Sequence, residues 1–403
     1  MDALSTATSV LTSLSFLLVL GLGLSLLADA LRIPRILILL ITGIILGSIS
    51  INGIPVISFP QSLTFGIAIL SLIMIVFTGT STIKIREVDI ATSKALKLLG
   101  TFLFFNILFI LLLGINLFGL NVFGFTAAMI LAIISAGTDA ASVFSLLGMT
   151  NNEIGNILKI EAVMNTPIVV VLPLIFVRIM QEGYGNFVVA ILEKGSEVFK
   201  LFVIGIGTGV VLGIILFKIL KSMSEAADQQ VMLFSGAFLT YIIAEAIGGD
   251  GIVAVATLGI MFATYYTRIS TVKFSLIAAQ ALEILVFLLL GISIKIPFSL
   301  SFILRSFSVF IAMFIARFIA VKLALSKKEF TMNEQLAALL LMPKGIATGV
   351  TALALVLIEP SLREVSAIIL AITIYSLILS SISLLFLRNK IGEKNATPRP
   401  SGK

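Results

Sequence analysis

Ser135-Ala136-Gly137-Thr138-Asp139-Ala140-Ala141 is the stretch that decides how this chain of 403 residues is read. It lies inside an apolar run, 123–148, that is long enough to cross a bilayer. Gly, Ser, Thr and Asp support a helix interior poorly, because they favour turns and local side-chain bonds. A carboxylate in hydrocarbon costs about 2.5–3.5 kcal/mol even on the most lenient insertion scale. Non-helical backbone survives at that depth only where it is buried in protein or lines a cavity. The stretch therefore predicts a discontinuous helix, with half-helix ends and freed carbonyls around Asp139, the arrangement that holds ions in transporters. The plainer reading is an Asp hydrogen-bonded to backbone for structure alone.

The rest of the chain sets the context. It is 59% hydrophobic and 12% charged, against about 25% charged for a soluble domain. There is too little polar surface to coat a globule, so the fold class is an all-α polytopic membrane protein. Apolar runs place about thirteen transmembrane helices, near 8–28, 34–51, 63–83, 96–118, 123–148, 155–180, 198–219, 230–248, 251–267, 274–293, 299–325, 333–357 and 364–387. Short loops such as Asn52-Gly53 and Asn151-Asn152 separate them. Val10 to Leu27 has no basic n-region before it, so it reads as a retained helix. Gly185 to Lys200 mixes charged and apolar residues and is either an amphipathic surface connector or an ordinary loop.

The chain contains neither Cys nor His. That excludes disulfides, Cys/His zinc sites, haem ligation by His, thiol nucleophiles and Ser–His chemistry. Gly248-Gly249-Asp250-Gly251 is not the Gly-x-Gly-Asp of an intramembrane aspartyl protease, because position 247 is Ile, and there is no second Tyr-Asp partner. No enzyme is expected, no cofactor and no nucleic-acid partner. Any proton must be handled by carboxylates, with Lys as the remaining option.

Basic residues give the topology. With an odd number of spans and a cytoplasmic C-terminus, the inside segments carry 18 Lys and Arg and the outside loops 6. That is a positive-inside bias, and it predicts an outside N-terminus. The remaining three basic residues, Lys159, Arg317 and Lys344, fall within spans.

Three further spans carry polar groups. In Glu161-Ala162-Val163-Met164-Asn165-Thr166-Pro167, Glu161 and Asn165 are four apart and share a helix face, and Pro167 frees a carbonyl near it. Arg317 lies deep in Phe314-Ile315-Ala316-Arg317-Phe318-Ile319 and must find a carboxylate; Glu161 is the first choice. Such a pair can be bidentate and acts more naturally as a brace than as a proton carrier. Pro343-Lys344-Gly345 should break the twelfth span. Lys344 there either offsets the negative ends of broken half-helices or snorkels to the interface. Glu245, Asp250 and Glu283 are secondary candidates: the first two for an access funnel or helix-end contacts, the third for an interhelical bond.

These residues resemble the monovalent cation:proton antiporter superfamily, and most of all the NhaP-type sodium/proton antiporters. Thr138-Asp139 matches the family's Thr-Asp in the fifth helix. Glu161-x-x-x-Asn165 matches the Glu-x-x-x-Asn-Asp of the sixth, Arg317 the Arg that pairs with that Glu, and Lys344-Gly345 an Arg-Gly in the crossing helix. Tyr241-x-x-Ala244-Glu245-Ala246 and Leu290-Gly291 also resemble family patterns. Two departures stand out: Thr166 replaces the family's ion-binding Asp, and Ala140 stands where Pro is common.

The resemblance implies inverted repeats with two crossed discontinuous helices, within a membrane domain spanning 1–388. A core bundle (about 96–180 and 299–388) would move against a dimerisation panel (about 8–83 and 198–293), followed by a basic cytoplasmic tail, 389–403. It also implies a homodimer in the cell membrane, serving pH homeostasis by exchanging Na+, or K+ or Li+, for H+. Asp139 would be the shared cation and proton site, the one metal-ligating carboxylate, with oxygens from Thr138, Asn165 and Thr166. An oxygen-rich site without His suits an alkali cation. Because Thr166 does not titrate, an uncoupled cation pathway and a non-transporting regulatory relative stay open, and Glu161 becomes a titrating candidate if Arg317 pairs elsewhere.

Overall fold

The apolar runs fold into fourteen described helices, and the chemistry of their ends explains most of the breaks. The computed structural model describes residues 3–31, 33–51, 54–55, 57, 59–81, 90–139, 153–181, 187–265 and 272–392. In chain order the helices are α1 (Ala3–Leu31), α2 (Arg35–Ser48), α3 (Gln61–Thr80), α4 (Ile90–Phe118), α5 (Val122–Ser135), α6 (Glu153–Gln181), α7 (Phe187–Ser222), α8 (Ala226–Ala246), α9 (Gly251–Tyr265), α10 (Val272–Ser293), α11 (Leu300–Ala324), α12 (Met332–Leu340), α13 (Ile346–Ile358) and α14 (Arg363–Gly392). A two-residue antiparallel bridge, Ser50–Ile51 with Ile54–Pro55, follows α2. Seven helices are long and apolar enough to cross a membrane, and five shorter ones are apolar over 10–17 residues.

Side chains set the starts. Asn121 accepts from the Gly124 N–H at 2.6 Å to open α5, and the Ser299 hydroxyl accepts from Phe302 N–H to open α11. Thr331 and Glu334 form a reciprocal capping box at α12. The end of α8 is followed by Gly248 at φ +78°, a conformation that glycine adopts without strain.

One expectation changes in detail. The segment after Gly185 is no loop: α7 runs unbroken from Phe187 to Ser222, so its Glu and Lys residues sit on a helix. The twelfth span breaks at Pro343-Lys344-Gly345 as its sequence predicts, with 341–345 non-helical between α12 and α13. The fifth span is helical only to Ser135, and 136–139 leave the helix; 140–148 lie outside the described residues, as do Asn52-Gly53, Asn151-Asn152 and the tail from 393.

The helices pack in two groups. One holds α4, α5, α6 and α11 to α14, with α4 lying along α11. The other holds α1 to α3 and α7 to α10, with α2 along α10 and α9 along α3 and α7. Close approaches need glycine in the second group. A Cβ at Gly43 would stand 2.5 Å from the Leu288 carbonyl oxygen, and one at Gly209 would stand 2.4 Å from that of Ala254. Gly205, Gly209 and Gly213 line one side of α7 against α9, the small-residue spacing that lets membrane helices approach. The groups meet where α13 touches α3 and α10 and where α6 touches α3, α7 and α9, with α14 also reaching α2.

Candidate functional site: the meeting of two broken helices

Breaking a helix in hydrocarbon exposes backbone groups that water cannot satisfy. Here several of the freed groups find partners. Asp139 N–H donates to the Pro343 carbonyl at 2.9 Å, joining the two non-helical segments directly. Asn165 Nδ2 donates to the Ala136 carbonyl at 2.7 Å. Asn106, from α4, donates to the Ala132 carbonyl at 2.7 Å and to Ser135 Oγ at 3.0 Å. On the other break, Lys344 N–H donates to Ser376 Oγ at 3.2 Å and Ser380 Oγ donates to the Leu340 carbonyl at 3.1 Å. Asn106, Ser376 and Ser380 were not among the sequence candidates. Asn106 had a visible signal, an amide in the apolar run 102–113; the serines of α14 had none.

Asp139 sits at the crossing. Its side chain lies against Gly345, where an added Cβ would be 2.2 Å from Asp139 Cβ and 2.3 Å from Oδ1. Only glycine leaves that space. Thr138 is 6% exposed and Asn165 fully buried, and Thr138 Oγ1 and Asn165 Oδ1 have no hydrogen-bond partner among the described residues. Buried unpaired oxygens are costly unless something else uses them. Thr166 Oγ1 donates along its own helix to the Ala162 carbonyl at 3.0 Å, which leaves its lone pairs open.

Glu161 and Arg317 form a two-pronged pair: Nη1 bonds Oε1, and Nη2 bonds Oε2 at 2.8 Å. Both are buried, at 1% and 0% exposure. Arg317 Nε also donates to the Ala338 carbonyl at 3.0 Å, one of the last carbonyls of α12 that has no partner inside the helix. The guanidinium lies over the Phe102 ring at 5.0 Å, and Lys344 Nζ lies over the same ring at 5.7 Å. Lys344 is fully buried. It points inward beside Arg317 and does not snorkel.

The secondary candidates separate. Glu245 Oε1 accepts from the Gly251 N–H, and Asp250 Oδ1 accepts from the Ile252 and Val253 N–H groups, each at 2.9 Å. They are contacts at the start of α9. Glu283, on α10, is close enough to Asp139 and to Arg35 to feel both charges. Among the described residues no three acidic, His or Cys side chains come together as a metal cluster.

The end of α5 and the break between α12 and α13 meet at a half-buried carboxylate, Asp139, beside an internal Arg–Glu pair, and that arrangement defines a transmembrane ion-exchanger architecture. The family described as sodium/hydrogen exchanger, transmembrane, matches residues 14–390, and the chain belongs to it. Its fold resembles the sodium proton antiporter MjNhaP1 from Methanocaldococcus jannaschii, with TM-score 0.77 and 22% identity over 96% of this chain and 99% of that one. The K(+)/H(+) antiporter NhaP2 of Shewanella baltica is 27% identical over 268 residues, 64% of this chain and 43% of that protein. The chain thus spans less than half the length of that relative. The low-affinity Na(+)/H(+) antiporter NhaS1 of Synechocystis is 28% identical over 145 residues, 35% of this chain and 27% of that protein. These relatives are transporters, not enzymes.

Proposed function

We propose that this protein exchanges a monovalent cation, Na+ in the first instance, for H+ by alternating access, with Asp139 as the shared site. The observation that carries the reading is Asp139 itself: a carboxylate against Gly345, beside two buried oxygens with no hydrogen-bond partner among the described residues, Thr138 Oγ1 and Asn165 Oδ1. A dehydrated alkali cation wants several oxygens and no His. Asp139 can release one proton and take one cation. With Glu161, Arg317, Lys344 and Asp139 all ionised, the site's charges sum to zero. The protonated and the cation-loaded forms then each carry one positive charge, so the exchange moves no net charge. K+ is the runner-up cation, named for the NhaP2 relative. The group α4–α6 with α11–α14 would be the moving bundle and the other group a fixed panel that pairs with a second copy. The N-terminus would lie outside and the C-terminus in the cytoplasm, in the cell membrane.

The test is purified protein in liposomes with an imposed pH gradient, given Na+, K+ or Li+ while internal pH is followed. Valinomycin and a protonophore separate exchange from leak. Gradient collapse that needs one cation and is lost in Asp139→Asn is expected. Wild-type-like exchange by a well-inserted Asp139→Asn would remove Asp139 as carrier. Thr166, which cannot titrate, favours one second reading, an uncoupled cation pathway; cation flux without proton flux would establish it. No flux at all from folded protein would leave a regulatory relative. Thr166→Asp should alter cation affinity or pH dependence.

A further inference from the structure

Glu283 is a carboxylate without a role in the exchange just described. Its position follows from the packing of α10 on α13. Where a Cβ would be added at Gly349 of α13, Leu290 and Phe287 of α10 approach to 3.0 and 3.2 Å. Glu283 lies four residues before Phe287 and so shares its face, while Gly345, against which Asp139 rests, lies four residues before Gly349. With spans ten and twelve crossing in the same direction, these steps bring Glu283 toward Gly345, and Asp139 is near enough to repel it. On its other side Glu283 feels Arg35. That guanidinium is already engaged by Asp29 at 2.8 and 2.5 Å, in a pair with both side chains more than 40% exposed. Glu283 thus stands between an exposed ion pair and the buried site.

Two carboxylates close enough to repel one another disfavour being ionised together unless a cation or proton sits between them. Two oxygens with no hydrogen-bond partner among the described residues, Thr138 Oγ1 and Asn165 Oδ1, lie at the same crossing. Position 166 adds no carboxylate. Building on the antiport reading, we propose that Glu283 is the second carboxylate of the cation path, and that a monovalent cation is held between Asp139 and Glu283. The two ligands belong to different helix groups. The ion therefore bridges the seam between them, and movement of one group past the other parts the ion from Glu283. Glu283 serves one side of the membrane only.

The decisive measurement is binding of radiolabelled Na+ to the full chain in detergent, alongside the concentration dependence of exchange in liposomes. Glu283→Gln keeps size and removes charge. It should weaken binding and raise the apparent KM for the cation about tenfold, or about 1.4 kcal/mol, with a smaller effect on the maximal rate. Glu283→Asp should recover most of the affinity, and Asp139→Asn should bind nothing. A Glu283→Gln protein that matches wild type in both assays, while Asp139→Asn is dead, overturns this proposal and leaves the antiport reading intact. A wild-type protein that neither binds nor exchanges any alkali cation overturns both. A structural role alone would lower the yield of folded protein without moving KM.

Discussion

Removing either partner of the buried Glu161–Arg317 pair should destabilise the protein more than removing both. Glu161→Met leaves the Arg317 charge buried beside Lys344, with Phe102 shared between the two cations. Stranding one charge of a buried pair costs about 3–5 kcal/mol. Arg317→Met strands Glu161 at the same cost and also takes the Nε bond from the Ala338 carbonyl. An orphaned buried acceptor adds about 1–3 kcal/mol. In the double variant the pair itself is replaced by apolar volume, which is close to neutral, and only the Ala338 loss of about 1–3 kcal/mol remains. The expected order of stability is wild type, double variant, Glu161→Met, Arg317→Met.

The assay has to suit a chain with no Trp and no Cys. Tryptophan emission and thiol-reactive dyes are both blind to it, so the folded fraction is best read by size exclusion after heating in detergent. Each kcal/mol should move the apparent midpoint by about 2 °C or less in a chain of this length, and all four proteins need one heating rate because unfolding of this kind is a rate process. A double variant that melts below both single variants, with a loss from wild type of roughly the sum of theirs, would show that the two residues do not act as a pair and would refute the argument.

Other expectations follow from single contacts. Gly345→Ala places a Cβ 2.2 Å from Asp139 Cβ and should abolish exchange, whereas Gly23→Ala, with nothing within 4 Å, should exchange like wild type in the same liposome assay. Gly209→Ala sets a methyl against the Ala254 carbonyl at 2.4 Å; overpacking of this kind costs about 1–3 kcal/mol and should show as an earlier thermal midpoint. The Ser361 hydroxyl, donating to Glu359 at 2.7 Å, holds that exposed carboxyl below its ordinary value. A lowered folded value means that the stabilisation is complete above about pH 4.3 and is lost as pH falls through the folded value. Hydrogen exchange in the turn Pro360–Leu362 should quicken in acid, and Glu359→Gln should flatten that response.

Much of the site was readable because hydrocarbon makes polar residues conspicuous. Asp139, Glu161, Asn165, Arg317 and Lys344 each interrupt an apolar run, and the cost of burying them made each one a question about partners. The partner of Arg317 could be named because few carboxylates lie at depth. Pro343 and Gly345 marked the second break by their backbone chemistry alone. What stayed hidden depends on which helix lies beside which. Phe102 is one of 30 Phe residues, and nothing local says that two cations share its face. Ser376 and Ser380 look like ordinary helix serines until the break lies against them. The Glu and Lys residues before Lys200 disguised the start of a long helix, because mixed polarity reads as a surface segment when its neighbours are unknown.

The distribution of polar contacts bears on motion. Asn165 ties α6 to the segment after α5, Asn106 ties α4 to α5, Arg317 ties α11 to α6 and α12, and Ser376 and Ser380 tie α14 to the break. Lys94 adds ion pairs from α4 to Glu153 and Glu329. All of these bonds lie within one helix group. Across the seam Gly349 of α13 meets Phe287 and Leu290 of α10, an apolar contact with no directional bond to break. On the proposed alternating-access reading, a bundle held together by these polar bonds would shift as one body, whereas bending at either break alone would strand carbonyls in hydrocarbon. The breaks would then be carried past the other group without flexing, with Asp139 fixed between them.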